Sequence, residues 1–187
     1  MFKDFNISSF KKLKPPSNNS FDTLQEIKQL KNTPLNKKKA EDHDDINGVF
    51  LKIAKKNNII NYDKSISDNL INESKPIILK LKKHFNRPRP KVMAKKFGIK
   101  MKDYEMKSMK TPAYPSGHSA QGMLVARVLA DKHPKSAKAF LKAGKNISDS
   151  RRSARAHYMS DSRMGESLGN AMYKHIKNKN NAIFTEK

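Results

Sequence analysis

Apolar residues in this chain recur three and four positions apart, in stretches that proline closes, and that pattern points to a packed set of helices. Ser20 offers an N-cap, and Phe21, Leu24, Ile27 and Leu30 follow at helical spacing until Pro34. Ile46, Val49, Phe50 and Ile53 mark a second helix beyond the charged link NKKKAEDHDD. Ser67 is placed to cap a third, with Leu70 and Ile71 on one face. Pro76 either kinks it or opens a new helix carrying Ile77, Ile78, Leu81 and Phe85, and NRPRP ends it. Residues 91–115 contain Gly98, Pro112 and Pro115, lack periodicity and read as an irregular loop. From Ser116 or His118 a helix runs through Met123, Leu124, Val128 and Leu129 to about Lys132. Pro134 opens another with Ala137, Phe140, Leu141 and Ile147, and Ser160 or Asp161 caps a last one with Met164, Leu168, Ala171 and Ile176. No alternating β-branched run, hairpin dipeptide or internal repeat occurs. The expected fold is all-α, a compact bundle of about six to eight helices. Residues 20–178 form the single domain, behind a basic, loosely ordered leader (1–19) and ahead of a polar tail (179–187).

Composition narrows the chemistry. A chain of 187 residues is long enough for one real core. It has no cysteine, which excludes disulfides, thiolate nucleophiles and cysteine-ligated zinc. The start, MFKDFNISSFKKLKPP, lacks the apolar core of a signal peptide. No stretch approaches the roughly 18 apolar residues that span a bilayer. A soluble, cytoplasmic protein is expected. Forty Lys and Arg against 17 Asp and Glu give +23, an excess that attracts nucleic acid, phosphorylated metabolites or anionic membrane. The lysines are spread along the chain, which equally suits a coding bias toward Lys and Asn. Aromatics are few, at 7%, and not interleaved with basic residues, so base stacking is disfavoured. The DHDD run around His43 suits a charged helix N-terminus better than a metal site. His133 and His175 are assigned to helix ends, while His84 suits either a helix surface or the edge of a site.

Three strings carry chemistry. Lys82 precedes Arg89-Pro90 by six intervening residues, although Lys80 with Arg87-Pro88 meets the same spacing. Pro115-Ser116-Gly117-His118 opens a helix. There glycine admits an anion close to the backbone, serine supplies a hydroxyl and an N–H, and the positive helix end faces the anion. Ser150-Arg151 is followed after five residues by His157 and after three more by Asp161. An aspartate accepting from an imidazole N–H fixes its tautomer and makes the other nitrogen more basic.

In this order the strings K-x6-RP, PSGH and SR-x5-H-x3-D resemble the signature of the type 2 phosphatidic acid phosphatase/vanadium haloperoxidase superfamily. KKHFNRPRP and AYPSGHSAQG resemble the soluble class A bacterial non-specific acid phosphatases, over about residues 65–175. The resemblance implies a helical fold with the site at the ends of a central bundle, and a metal-independent phosphatase acting on a small phosphorylated substrate. It implies His157 as nucleophile through a phosphohistidine, Asp161 orienting it, and His118 as proton donor and then base. Lys82, Arg89 and Arg151 would clamp phosphate, helped by Ser116 and the Gly117 N–H. No cofactor is implied, though vanadate would suit the same site. The chain departs from that pattern at Arg152 and Arg155, inside the third string, and at Tyr158, where class A enzymes usually have Trp. Two alternatives follow: a vanadate-dependent haloperoxidase or lipid phosphatase on the same fold, or a non-enzymatic nucleic-acid-binding protein using the basic surface. The Lys- and Asn-rich composition would suit a phage-encoded protein of the virion or host cytoplasm.

Overall fold

The computed structural model describes residues 1–185, with side-chain surroundings through residue 179. Among the described residues there are nine α-helices and no strand. They are α1 (Ile7–Lys11), α2 (Phe21–Asn32), α3 (Lys37–Asp42), α4 (Ile46–Lys56), α5 (Lys64–Phe85), α6 (Pro90–Lys96), α7 (Gly117–Lys132), α8 (Ala137–Ser153) and α9 (Met159–Thr185). Six of them exceed ten residues. The all-helical expectation holds, and none of these helices is long and apolar enough to cross a membrane.

The central element is α7. Ala120, Leu124, Val125, Ala126 and Leu129 are all fully buried, because α8, α9, α5 and α4 surround it. A helix enclosed this way is apolar over most of its circumference, and Arg127 and Asp131 mark the face left to solvent. On one side α7 lies almost against α9. A Cβ at Gly165 would stand 2.8 Å from the Ser119 Cβ and closer still to the Ser116 carbonyl oxygen, and one at Gly169 would strike the Ala120 carbonyl. Only glycine permits that approach, and the approach ties the start of α7 to the start of α9.

Local boundaries differ from expectation in instructive places. Asp63, not Ser67, caps α5: its carboxylate accepts from the Ser65 N–H, while the buried Ser67 hydroxyl donates to the Lys64 carbonyl inside the helix. Pro76 neither breaks nor restarts α5, which runs unbroken through it for 22 residues. The stretch expected to be irregular contains α6, opened by Pro90 at its first position. Met93 and Ala94 bury there against Ile27, Ala113 and Tyr158. The leader is not loose. Asn6 caps α1, and Phe2 and Phe10 enter the main core. Phe5 stacks on Phe10 at 5.7 Å and meets His175 edge-on at 5.6 Å. His175 therefore lies within α9 against aromatic rings rather than at a helix end, whereas His133 does cap α7. In the DHDD run, Asp42 ends α3, His43 caps its C-terminus and Asp45 takes the N-cap position of α4, leaving Asp44 between. The polar tail expected over 179–187 lies almost wholly outside the described side chains.

Candidate active site

The last turn of α5, the chain that follows it, the first turn of α7 and the link between α8 and α9 meet at one end of the bundle. Asn86 ends α5 in the left-handed conformation (φ 44°, ψ 40°), which asparagine tolerates better than most residues. That turn directs Arg87 and Arg89 to different depths. Lys82, Arg89, Gly117, His118 and His157 line a cleft of about 290 Å³, with Ser108, Thr111, Lys75 and Gln121 on its walls. Lys80 is exposed, so Lys82 and Arg89 form the pair that faces the cleft.

Arg89 is pinned by backbone. Its Nε donates to the Thr111 carbonyl at 2.9 Å, Nη1 to the Ala156 carbonyl at 2.9 Å, and Nη2 to the Ser108 carbonyl at 3.2 Å. Nη1 also lies 3.0 Å from the His157 Nε2. Arginine has donors only, so that nitrogen accepts and the ring proton resides on Nδ1. The Nδ1 atom faces the Asp161 Oδ2 at 3.2 Å. Burial, then the charges of Arg89 and Lys82, hold the imidazole well below its ordinary proton affinity. His157 is therefore a neutral base whose lone pair, on the Nε2 at the cleft, accepts from Arg89. Burial, reinforced by Arg89, brings the Lys82 ammonium down to about 7, and its Nζ donates to the Pro112 carbonyl. Burial lowers Arg89 to about 10, which leaves it charged at neutral pH.

Ser116, Arg151 and Asp161 lie behind the cleft wall, all essentially inaccessible to solvent. Ser116 caps α7; its hydroxyl accepts from the Ser119 N–H and hydroxyl, and its own N–H donates to the Asp161 carbonyl at 3.0 Å. Arg151 donates to the Asp44 Oδ1 at 2.7 Å, the Ala40 carbonyl at 2.7 Å and the Ser150 hydroxyl at 3.0 Å. The structure thus brings eight sequence-derived residues into one region but places five of them on the cleft itself. Arg152 points away to Asp149, and Arg155, at φ 56°, ties the α8–α9 link to the Lys31, Thr33 and Lys102 carbonyls. The two additional arginines are structural cations outside the cleft.

Beneath His157 lies a buried network that motif spacing did not reveal. Arg87 donates through Nη1 to Asp161 Oδ1 at 2.7 Å and through Nη2 to Glu26 Oε2 at 2.9 Å, and its guanidinium stacks on the Tyr158 ring at 3.8 Å. Glu26 in turn accepts from the Ser160 N–H and hydroxyl at 2.6 and 2.8 Å. Burial raises the proton affinity of Asp161; Arg87 and the Tyr158 N–H oppose that and favour the carboxylate. The sequence signal was the doubled Arg in NRPRP, where both arginines are used. A wider groove of about 1100 Å³ over Lys91–Lys102 holds none of these residues.

Residues 69–181 match the model of the PAP2 superfamily. Over 88 residues the chain is 35% identical to a non-specific acid phosphatase of Salmonella typhimurium. That stretch is 47% of this chain and 35% of the relative, so the chain spans about a third of the relative's length. The family match covers more than half of the chain and contains every residue lining the cleft, and on that basis the chain belongs to the PAP2 superfamily.

Proposed function

We propose that this protein is a phosphatase that hydrolyses phosphomonoesters through a phosphohistidine on His157, without a metal ion. The observation that carries the reading is the His157 ring. Its Nδ1–H is directed at a buried carboxylate, and its Nε2 lone pair is turned to the guanidinium of Arg89, where a phosphate clamped by that guanidinium would meet it. Phosphoryl transfer spreads charge over three equatorial oxygens, and fixed cations and N–H donors stabilise that charge where it develops. Lys82, Arg89 and the N-terminus of α7 supply them here. The His157 Nε2 attacks phosphorus as the P–O ester bond breaks, and the departing oxygen takes a proton from His118. His118, now neutral, then takes a proton from water as the oxygen of that water displaces the P–N bond, releasing inorganic phosphate and restoring both rings. Two modest steps replace one difficult displacement. Arg151 acts from behind the cleft by holding its frame.

The test is hydrolysis of p-nitrophenyl phosphate in excess EDTA from about pH 4 to 8, with an alkaline quench to trap an acid-labile, base-stable phosphoenzyme. Activity with EDTA, and loss of both turnover and trapped label in His157→Ala, is the expected result. No turnover, or an undiminished His157→Ala, would refute the proposal. Vanadate, as a phosphate analogue, should compete with substrate; halide oxidation with vanadate and peroxide in place of hydrolysis would assign the site to peroxidase chemistry.

A further inference from the structure

We propose that Asp44, from the link between α3 and α4, is the positioning residue of the proton donor His118. It fixes which ring nitrogen gives up the proton and sets a negative charge beside the ring that favours its protonated form. The inference rests on the phosphatase reading, yet Asp44 lies outside the family-matching segment, in a stretch to which no sequence motif assigns a role.

The geometry is specific. The His118 Nε2 lies 3.2 Å from the Asp44 Oδ1 and 3.1 Å from the backbone carbonyl oxygen of the same residue. A carbonyl oxygen only accepts, so Nε2 carries hydrogen in either charge state. The transferable proton of the imidazolium is then the one on Nδ1. The arrangement at His157 is its counterpart with the nitrogens exchanged. Asp161 takes Nδ1 of the nucleophile and leaves Nε2 as the acceptor, whereas Asp44 takes Nε2 of the acid and leaves Nδ1 as the donor. From the far side Arg151 donates to the same Oδ1 at 2.7 Å, which holds the carboxylate in place. Contact with His118, then Arg151, brings the Asp44 carboxyl down to about 2, so it is ionised throughout the working range.

The surroundings of His118 otherwise oppose an imidazolium. The ring is half-buried in the first turn of α7, where the helix dipole presents its positive end. Arg151 approaches from α8, His157 from the α8–α9 link, and Lys75 and Lys82 from α5, with Arg89 following it, line the same cleft. Among the described residues, Asp44 is the carboxylate that contacts the ring, by side chain and backbone. Burial holds the ring below its ordinary proton affinity even with Asp44 in place; Asp44 opposes that fall, and without it the protonated ring that the leaving group needs would be scarcer still.

The test compares Asp44→Asn with the unaltered full chain on p-nitrophenyl phosphate, whose leaving group needs little protonation, and on phenyl phosphate, whose leaving group needs much. General acid assistance is worth roughly 100-fold or more. The expected result is a loss of about that size in kcat on phenyl phosphate, under about tenfold on p-nitrophenyl phosphate, with the alkaline limb of the phenyl profile displaced to lower pH. In a His118→Ala background the same substitution should change neither rate. Equal losses on both esters, an unchanged enzyme, or a gain in rate with tighter inorganic phosphate binding would overturn the proposal; the last outcome would make Asp44 a plug. Nitrogen NMR of the unaltered protein gives a readout that needs neither turnover nor a folded variant. His118 should hold its proton on Nε2 when neutral, and an Nδ1–H tautomer would overturn the assignment. An unaltered enzyme inactive on both esters would remove the phosphatase reading, whereas an active enzyme with the wrong tautomer would remove only this one.

Discussion

Replacing Arg87 with methionine removes the charge between two acids and keeps much of the side-chain volume. Arg87 is 1% exposed, Asp161 0% and Glu26 13%, so two carboxylates would be left without the cation that balances them. Breaking a buried pair from one side costs about 3–5 kcal/mol, and loss of the stack on Tyr158 adds about 0.5–2 kcal/mol. For a domain of this size the melting temperature should fall by roughly 10 °C or more. The deficit should depend on pH in one direction. In the variant the buried Asp161 binds a proton more tightly folded than unfolded, so the folded state holds more protons and stability declines as pH rises above the ordinary carboxylate range. Thermal denaturation followed by circular dichroism near pH 5 and pH 8 should show the larger deficit at the higher pH. Arg87→Lys should restore the protein only in part, because one ammonium does not reproduce a fork that engages Asp161 and Glu26 through separate nitrogens. A melting point within about 3 °C of the parent and independent of pH would refute the account.

Lys82→Ala should abolish phosphate binding while Lys80→Ala leaves it unchanged, read by the inhibition constant of inorganic phosphate. In the unaltered enzyme that affinity should weaken as pH rises through about 7, where free Lys82 loses its proton, and Lys82→Arg should move the falling limb upward. Gly165→Ala would push a methyl into the turn that carries Ser116, costing at least about 1–3 kcal/mol and lowering kcat; full activity with an unchanged melting curve would contradict the packing described. Phe10→Ala should destabilise by about 3 kcal/mol in denaturant unfolding, because the leader is part of the core rather than an appendage.

Helical periodicity was the most legible part of the chain because burial acts residue by residue along each segment. Ile27 and Leu30, Val49 and Phe50, and Leu124 and Leu129 all pack where their spacing places them. The choice between Lys80 and Lys82 was also recoverable in principle. Lys82 lies one turn after the buried Ile78 and beside Leu81, whereas Lys80 lies on the opposite side of α5. Capping was less legible at α5, where Asp63 and Ser67 are both chemically suitable and only tertiary burial of Ser67 decides. Helix α6 was hidden by its length, seven residues with few apolar positions. What escaped entirely was the pairing of Glu26 with Arg87 and of Asp44 with Arg151 and His118. A charged residue carries no periodic mark of a partner elsewhere in the chain, and in a protein of +23 a single acid on a polar helix looks like solvated surface.

The partners that complete the site lie far apart along the chain: 61 residues separate Glu26 from Arg87, and 107 separate Asp44 from Arg151. Such contacts form only after long loops have closed, whereas helices assemble within their own segments. The order of events in folding follows. The acids are synthesised first and wait in solvent, the bundle gathers around α7, and the imidazoles acquire their final tautomers last. On refolding from denaturant, helix should return before activity does, and the interval between them reports the docking of the first sixty residues onto the remainder.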